Sequence, residues 1–149
     1  MKALAALLSA LCLHAHADMA EEVKQSAAED VVGTVVGLAL GAAEANPLGV
    51  ALLPMKLVAM RQAESLPDGE KQYAQSALSA MWRGGGANNF CVAAAILTGG
   101  TFTPACIFVG LVAGMHKWAS GANERLFWAI CADERTRQPE LKCTYTTPA

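Results

Sequence analysis

Apolar residues recur along this chain at helical rather than strand spacing, and the interruptions between them outline five to six short helices. The first runs from about Ala20 to Ala45. It opens on the charged "AEEVKQSAAED", with acids in the early turns where the helix dipole favours them, and continues as the apolar run Val31 to Ala43. Asn46 is a candidate cap and Pro47 suits the opening position of a second helix, to about Ser65, in which Pro54 is expected to cause a kink or a division. A third helix starts after Pro67, with Asp68 as its candidate cap. Tyr73, Ala77 and Met81 form one stripe at intervals of four, and Ala74, Leu78 and Trp82 another.

"RGGGANN" (Arg83 to Asn89) reads as the strongest break in the chain. It lacks the Lys-Ser/Thr ending of a phosphate-binding loop, so an ordinary loop is expected there. Beyond it, Phe90 to Met115 carries no charge. Gly99-Gly100, Thr103 and Pro104 divide this region into helices over about 89–98 and 104–117. A last helix runs from about Ser120 or Asn123 to Arg135, and 139–149 is a polar tail. Strict alternation is absent and alanine is abundant. The sequence therefore predicts an all-α fold, a compact bundle with a helical hairpin at its core.

The N-terminus changes the picture of where this bundle works. "MKALAALLSALCLHAHAD" has one lysine, an apolar run and an Ala-His-Ala ending, the anatomy of a secretory signal peptide over 1–17, cleaved after Ala17. The domain then spans 18–138, and a periplasmic or secreted location follows. Cleavage removes Lys2, Cys12, His14 and His16, leaving a slightly acidic chain with no basic patch for nucleic acid. Cys91, Cys106, Cys131 and Cys143 remain. In an exported chain they point to disulfides that staple the C-terminal half, and the shortest loops pair Cys91 with Cys106 and Cys131 with Cys143.

Glycine spacing adds the next constraint. Gly33, Gly37 and Gly41 fall near one helix face, as do Gly110 and Gly114, so each set is expected to admit a close helix neighbour, and the Gly110/Gly114 face is the candidate partner of the first. Leucine at Gly37 should then overpack the contact. Val31 to Ala43 would extend only about 20 Å as a helix, short of the ~30 Å hydrocarbon core. Phe90 to Met115 is long enough to cross, but its central "GGTFTP" would free backbone groups inside a bilayer, so a buried hairpin is expected.

Candidate chemistry is sparse. His116 is the sole histidine of the mature chain and no G-x-S-x-G turn occurs. Glu44 is the acid to watch, because it borders two apolar helices. Trp82, Trp118 and Trp128 are candidate partner or membrane contacts, with core packing expected for at least two. No catalytic set, cofactor or metal site is read from the sequence. The leading expectation is an exported, non-enzymatic helical envelope protein that binds a protein partner, as accessory and immunity factors do. The alternative is a membrane-associated protein that uses glycine-faced hairpins for assembly or pore formation. Carrying 54% hydrophobic and 16% charged residues, the chain keeps a peripheral membrane contact in play.

Overall fold

Glycine is a poor helix former, at a cost of about 1 kcal/mol each relative to alanine, yet the longest described helix of this protein runs straight through three consecutive ones. In a computed structural model, which describes residues 19–42, 48–100 and 104–145, the element order is α1 (Met19–Ala39), α2 (Leu48–Glu64), α3 (Asp68–Leu97), α4 (Pro104–Ser120) and α5 (Ala122–Arg137). No strand occurs among the described residues. The fold is the expected all-α bundle. The leader at 1–17, Glu44, the Asn46–Pro47 junction and Thr103 lie outside the described residues.

The expected break at Arg83 to Asn89 is corrected: it is the middle of α3, and the two helices expected on either side of it are one. Neighbouring helices supply the reason. Gly84 faces α4, whereas Gly85 and Gly86 face α1, so the missing side chains let two helices approach α3 from different sides. The resulting contacts offset the poor propensity. Helix α2 likewise continues through Pro54 rather than dividing there. Asp68 is not a side-chain cap, since Pro67 holds that position and Asp68 pairs instead with Arg135 of α5.

Helix α3 is the axis of the bundle. Helix α1 lies parallel to it, in a register set by Ser26 against Ser79 and Gly33 against Asn89 and Phe90. Helix α2 returns antiparallel. Its Ala59 and Met60, with Leu78 of α3, pack on a small core of Val23, Ala27 and Trp82. Helix α4 is antiparallel on another side, and α5 lies across the N-terminal half of α3, where a Cβ on Gly69 would stand 2.9 Å from the Cβ of Ala132.

Two disulfides close the C-terminal half. Cys91–Cys106 joins α3 to α4, and Cys131–Cys143 ties the tail to α5. These are the pairings that the shortest loops give. Loops of 15 and 12 residues each restrict the unfolded chain by an amount on the order of 3 kcal/mol. They also fit a non-reducing compartment.

Both helix ends opposite α5 close in the same way. After α1, Gly41 takes a left-handed φ of 85°, with Ala42 N donating to Gly37 O (3.0 Å) and Gly41 N to Leu38 O (3.0 Å). After α3, Gly99 has φ 74°, with Gly100 N on Ala95 O (2.8 Å) and Gly99 N on Ile96 O (3.0 Å). This Schellman closure satisfies carbonyls that the helices would otherwise leave open.

Candidate functional site

The α3–α4 hairpin is held at backbone distance. A Cβ built on Gly84 would lie 2.8 Å from Gly110 O, and one on Gly110 would lie 2.7 Å from Gly84 O. On Gly114 it would lie 3.0 Å from Ala80 O. Gly110 and Gly114 therefore do form a close-packing face, but their counterpart is α3 and not the Gly33 face. Gly33 packs against Asn89 and Gly86 of α3. Among the described residues, a Cβ on Gly37 meets only Ala42, at an ordinary 3.8 Å, and one on Gly41, an exposed helix stop, meets nothing within 4 Å. The three-glycine motif of α1 thus splits into one packing residue, one undemanding position and one terminator.

Polar and charged groups fill much of the space between helices. Asp30 of α1 forms an ion pair with Lys56 of α2, and the two side chains are each 13% exposed. Asn89 Nδ2 donates to Asp30 Oδ1 (2.9 Å) and to Thr34 Oγ1 (2.9 Å), while Thr34 Oγ1 donates to Asp30 O (2.8 Å). Gly85 makes room for this carboxylate, since a Cβ there would stand 2.8 Å from Asp30 Oδ1. Glu29 pairs with Arg83, and Glu22 with Lys117 of α4. Nearby, Ser26 and Ser79 are buried and share a hydrogen bond of 3.1 Å, and Arg125 Nη1 donates to buried Ser76 (2.7 Å).

Large apolar side chains point the other way. Among those described, only Met19, Val23 and Trp82 are buried. On α4, Ile107, Phe108, Val109, Leu111, Val112 and Met115 are all exposed, Phe108 to 66%. At 3.6 residues per turn these positions occupy more than half of the helix circumference. A surface helix ordinarily turns its apolar stripe inward and its polar face outward. Helix α4 does the reverse, seating Cys106, Gly110 and Gly114 on α3.

Charge is also divided lengthwise. Asp30, Lys56 and Arg83 lie near one level of the bundle. On one side of that level stand the N-terminal half of α3 and all of α5. On the other, described residues 31–42, 48–55, 84–97 and 104–115 include no Asp, Glu, Lys or Arg.

The tryptophans separate in the same sense. Trp82, 4% exposed, is a core residue with Lys56 Nζ 5.9 Å from its ring centre, and so is not a surface contact. Trp118 is half-buried beneath the Arg125 guanidinium (3.6 Å) and edge-on to Tyr73. Trp128 is half-buried and edge-on to Phe127.

Two grooves flank α4. One, of about 650 Å³, lies between α4 and α1 over Arg83, and His116 and Lys117 reach it. The other, of about 630 Å³, lies on the opposite side, between Met81 and Asn88 of α3 and Leu111 and Met115 of α4. Sequence reasoning missed both grooves because it placed a loop where α3 forms their floor. No group of three or more His, Cys, Asp or Glu residues able to hold a metal occurs among the described residues. Also among those residues, no helix is long and apolar enough to cross a membrane. Comparison of the chain with known protein families, with curated proteins and with solved structures finds no match.

Proposed function

We propose that this is an exported, non-enzymatic envelope protein that works by seating its apolar half, whose described residues carry no charge, in one face of a membrane. The observation that carries this reading is α4, whose exposed apolar side chains cover more than half of its circumference while the charges of the described residues gather in the other half of the bundle. Contiguous exposed apolar surface marks a contact with membrane or protein. A protein partner usually covers one face of a helix, whereas lipid surrounds it.

Dimensions agree with entry from one side. The uncharged part of α3, Gly84 to Leu97, is about 20 Å long, more than one leaflet but less than a ~30 Å hydrocarbon core. Schellman closures after α1 and α3 lower the cost of burying those helix ends in lipid, where open backbone groups cost several kcal/mol.

Flotation tests the proposal. Purified protein is expected to rise with phosphatidylcholine–phosphatidylglycerol vesicles. The variant carrying Phe108→Asp and Val112→Asp should lose at least about tenfold in partitioning, since each buried carboxylate costs ~2.5–3.5 kcal/mol at full depth. Both side chains are exposed, so the variant should keep its helical circular dichroism. Wild-type protein left at the bottom of the gradient would refute the membrane reading.

A second reading, binding of a protein partner, is favoured by Leu126 and Ile130. They stand one turn apart on α5 and are each 60% exposed in the half of the bundle that would remain in water. Capture of a partner that α5 variants lose, without vesicle binding, would support this reading over the first.

A further inference from the structure

We infer that a second copy of this chain docks on the groove between α3 and α4, so that the protein pairs once it is seated in a membrane. The pairing rests on the membrane reading above and goes beyond it, because it divides the exposed surface of α4 between lipid and a second protein chain.

Shape is the first argument. Gly84, Gly110 and Gly114 lie along the floor of this groove, and their missing side chains open it to about 630 Å³. On its α4 rim, Ile107, Leu111 and Met115 recur every four residues, and Met81 stands on the α3 rim; each is at least half exposed. A ridge therefore lies directly beside a channel on one face. A two-fold axis presents that face to itself, and the ridge of each copy enters the channel of the other. Leu111 is level with the floor glycines, since Gly84 meets both Gly110 and Gly114. In lipid, helices associate where small residues admit a close neighbour.

Charge is the second argument. A symmetric contact sets a patch against its own copy, so like charges within it would repel. No Asp, Glu, Lys or Arg lines this groove. The groove between α1 and α4 would instead bring Arg83 and Lys117 of two copies together.

Area sets the strength. The four rim side chains expose on the order of 100 Å² each. Two copies would thus cover roughly 800–1,000 Å², close to the ~1,000 Å² at which a specific contact begins. Such a contact is weak in dilute solution. Seating in a membrane confines the copies to one layer and points their apolar halves the same way, which lowers the orientational cost of pairing. Phe108 and Val112, on the α1 side of α4, stay turned to lipid.

Energy transfer between copies carrying a donor or an acceptor dye on the N-terminal amine tests the pairing on phosphatidylcholine–phosphatidylglycerol vesicles. Transfer is expected for the wild type and should fall when unlabelled wild type is added. Leu111→Ala with Met81→Ala removes both rims without adding charge, and should lower the paired fraction about fivefold or more. Phe108→Ala with Val109→Ala, on the other side of α4, should leave it unchanged. All four side chains are exposed, so both variants should keep the helical circular dichroism of the wild type. Transfer that unlabelled protein does not compete away, or equal loss in the two double variants, would overturn the pairing. Flotation without transfer removes the pair and leaves the membrane reading standing, whereas failure to float removes both.

Discussion

Gly110→Leu is expected to lower the free energy of unfolding by about 3 kcal/mol, read from the shift in a urea midpoint. A single Cβ at this position would lie 2.7 Å from Gly84 O and 2.9 Å from Asn88 Cβ. Neither neighbour is the far end of a flexible side chain, so only a movement of the α3 or α4 backbone can relieve the overlap. The Cys91–Cys106 bond, one turn from Gly110, restricts that movement. Gly37→Ala supplies the contrast. Among the described residues its Cβ meets only Ala42, at 3.8 Å, so the gain in helix propensity, up to ~1 kcal/mol, should survive. If Gly110→Leu melts like the wild type, α3 and α4 are not in backbone contact and the seat proposed for α4 is wrong.

Asp30→Leu should cost about 3–5 kcal/mol, the usual penalty for leaving the other member of a buried pair without its partner. Lys56 would remain beside Trp82 without a counter-charge, and Asn89 would lose one of its acceptors. Adding Lys56→Met to the same chain should restore most of the loss, because the orphaned ammonium is then gone. A double-mutant cycle from denaturant midpoints measures the difference. A loss below about 1 kcal/mol for Asp30→Leu alone would mean that water reaches the pair and screens it. The result bears on function as well, since this pair ties α2 to α1 at the level where charge gives way to the uncharged half.

Helix positions were legible because apolar spacing, caps and prolines act locally. The starts at Asp68 and Pro104 are features of single short segments, and the cysteine pairing follows from loop length. Gly84, Gly85 and Gly86 were misread for the opposite reason. Taken alone they lower helix propensity, and what overrides it comes from Gly110 of α4 and Asp30 of α1, distant in sequence. One signal was present: Gly110 and Gly114 required a small-residue counterpart, and Gly84 satisfies it better than Gly33. The polar interior was not legible at all. An acid such as Asp30 in an amphipathic helix is ordinarily assigned to solvent, and nothing nearby reveals that Lys56 and Asn89 enclose it.

The reversal of burial has a calorimetric consequence. Heat capacity rises on unfolding as apolar surface meets water and falls as polar surface does, with a usual net of about 12–15 cal/mol/K per residue. Here unfolding would release glycine contacts, serines and ion pairs, while Phe108, Leu111 and Met115 are in water already. The heat-capacity increment in detergent-free buffer should therefore fall below that range in scanning calorimetry. A value within it would indicate that those side chains are covered in solution. With a small increment the stability curve is shallow, so cooling and moderate warming should change the folded fraction less than in a domain with an oily core.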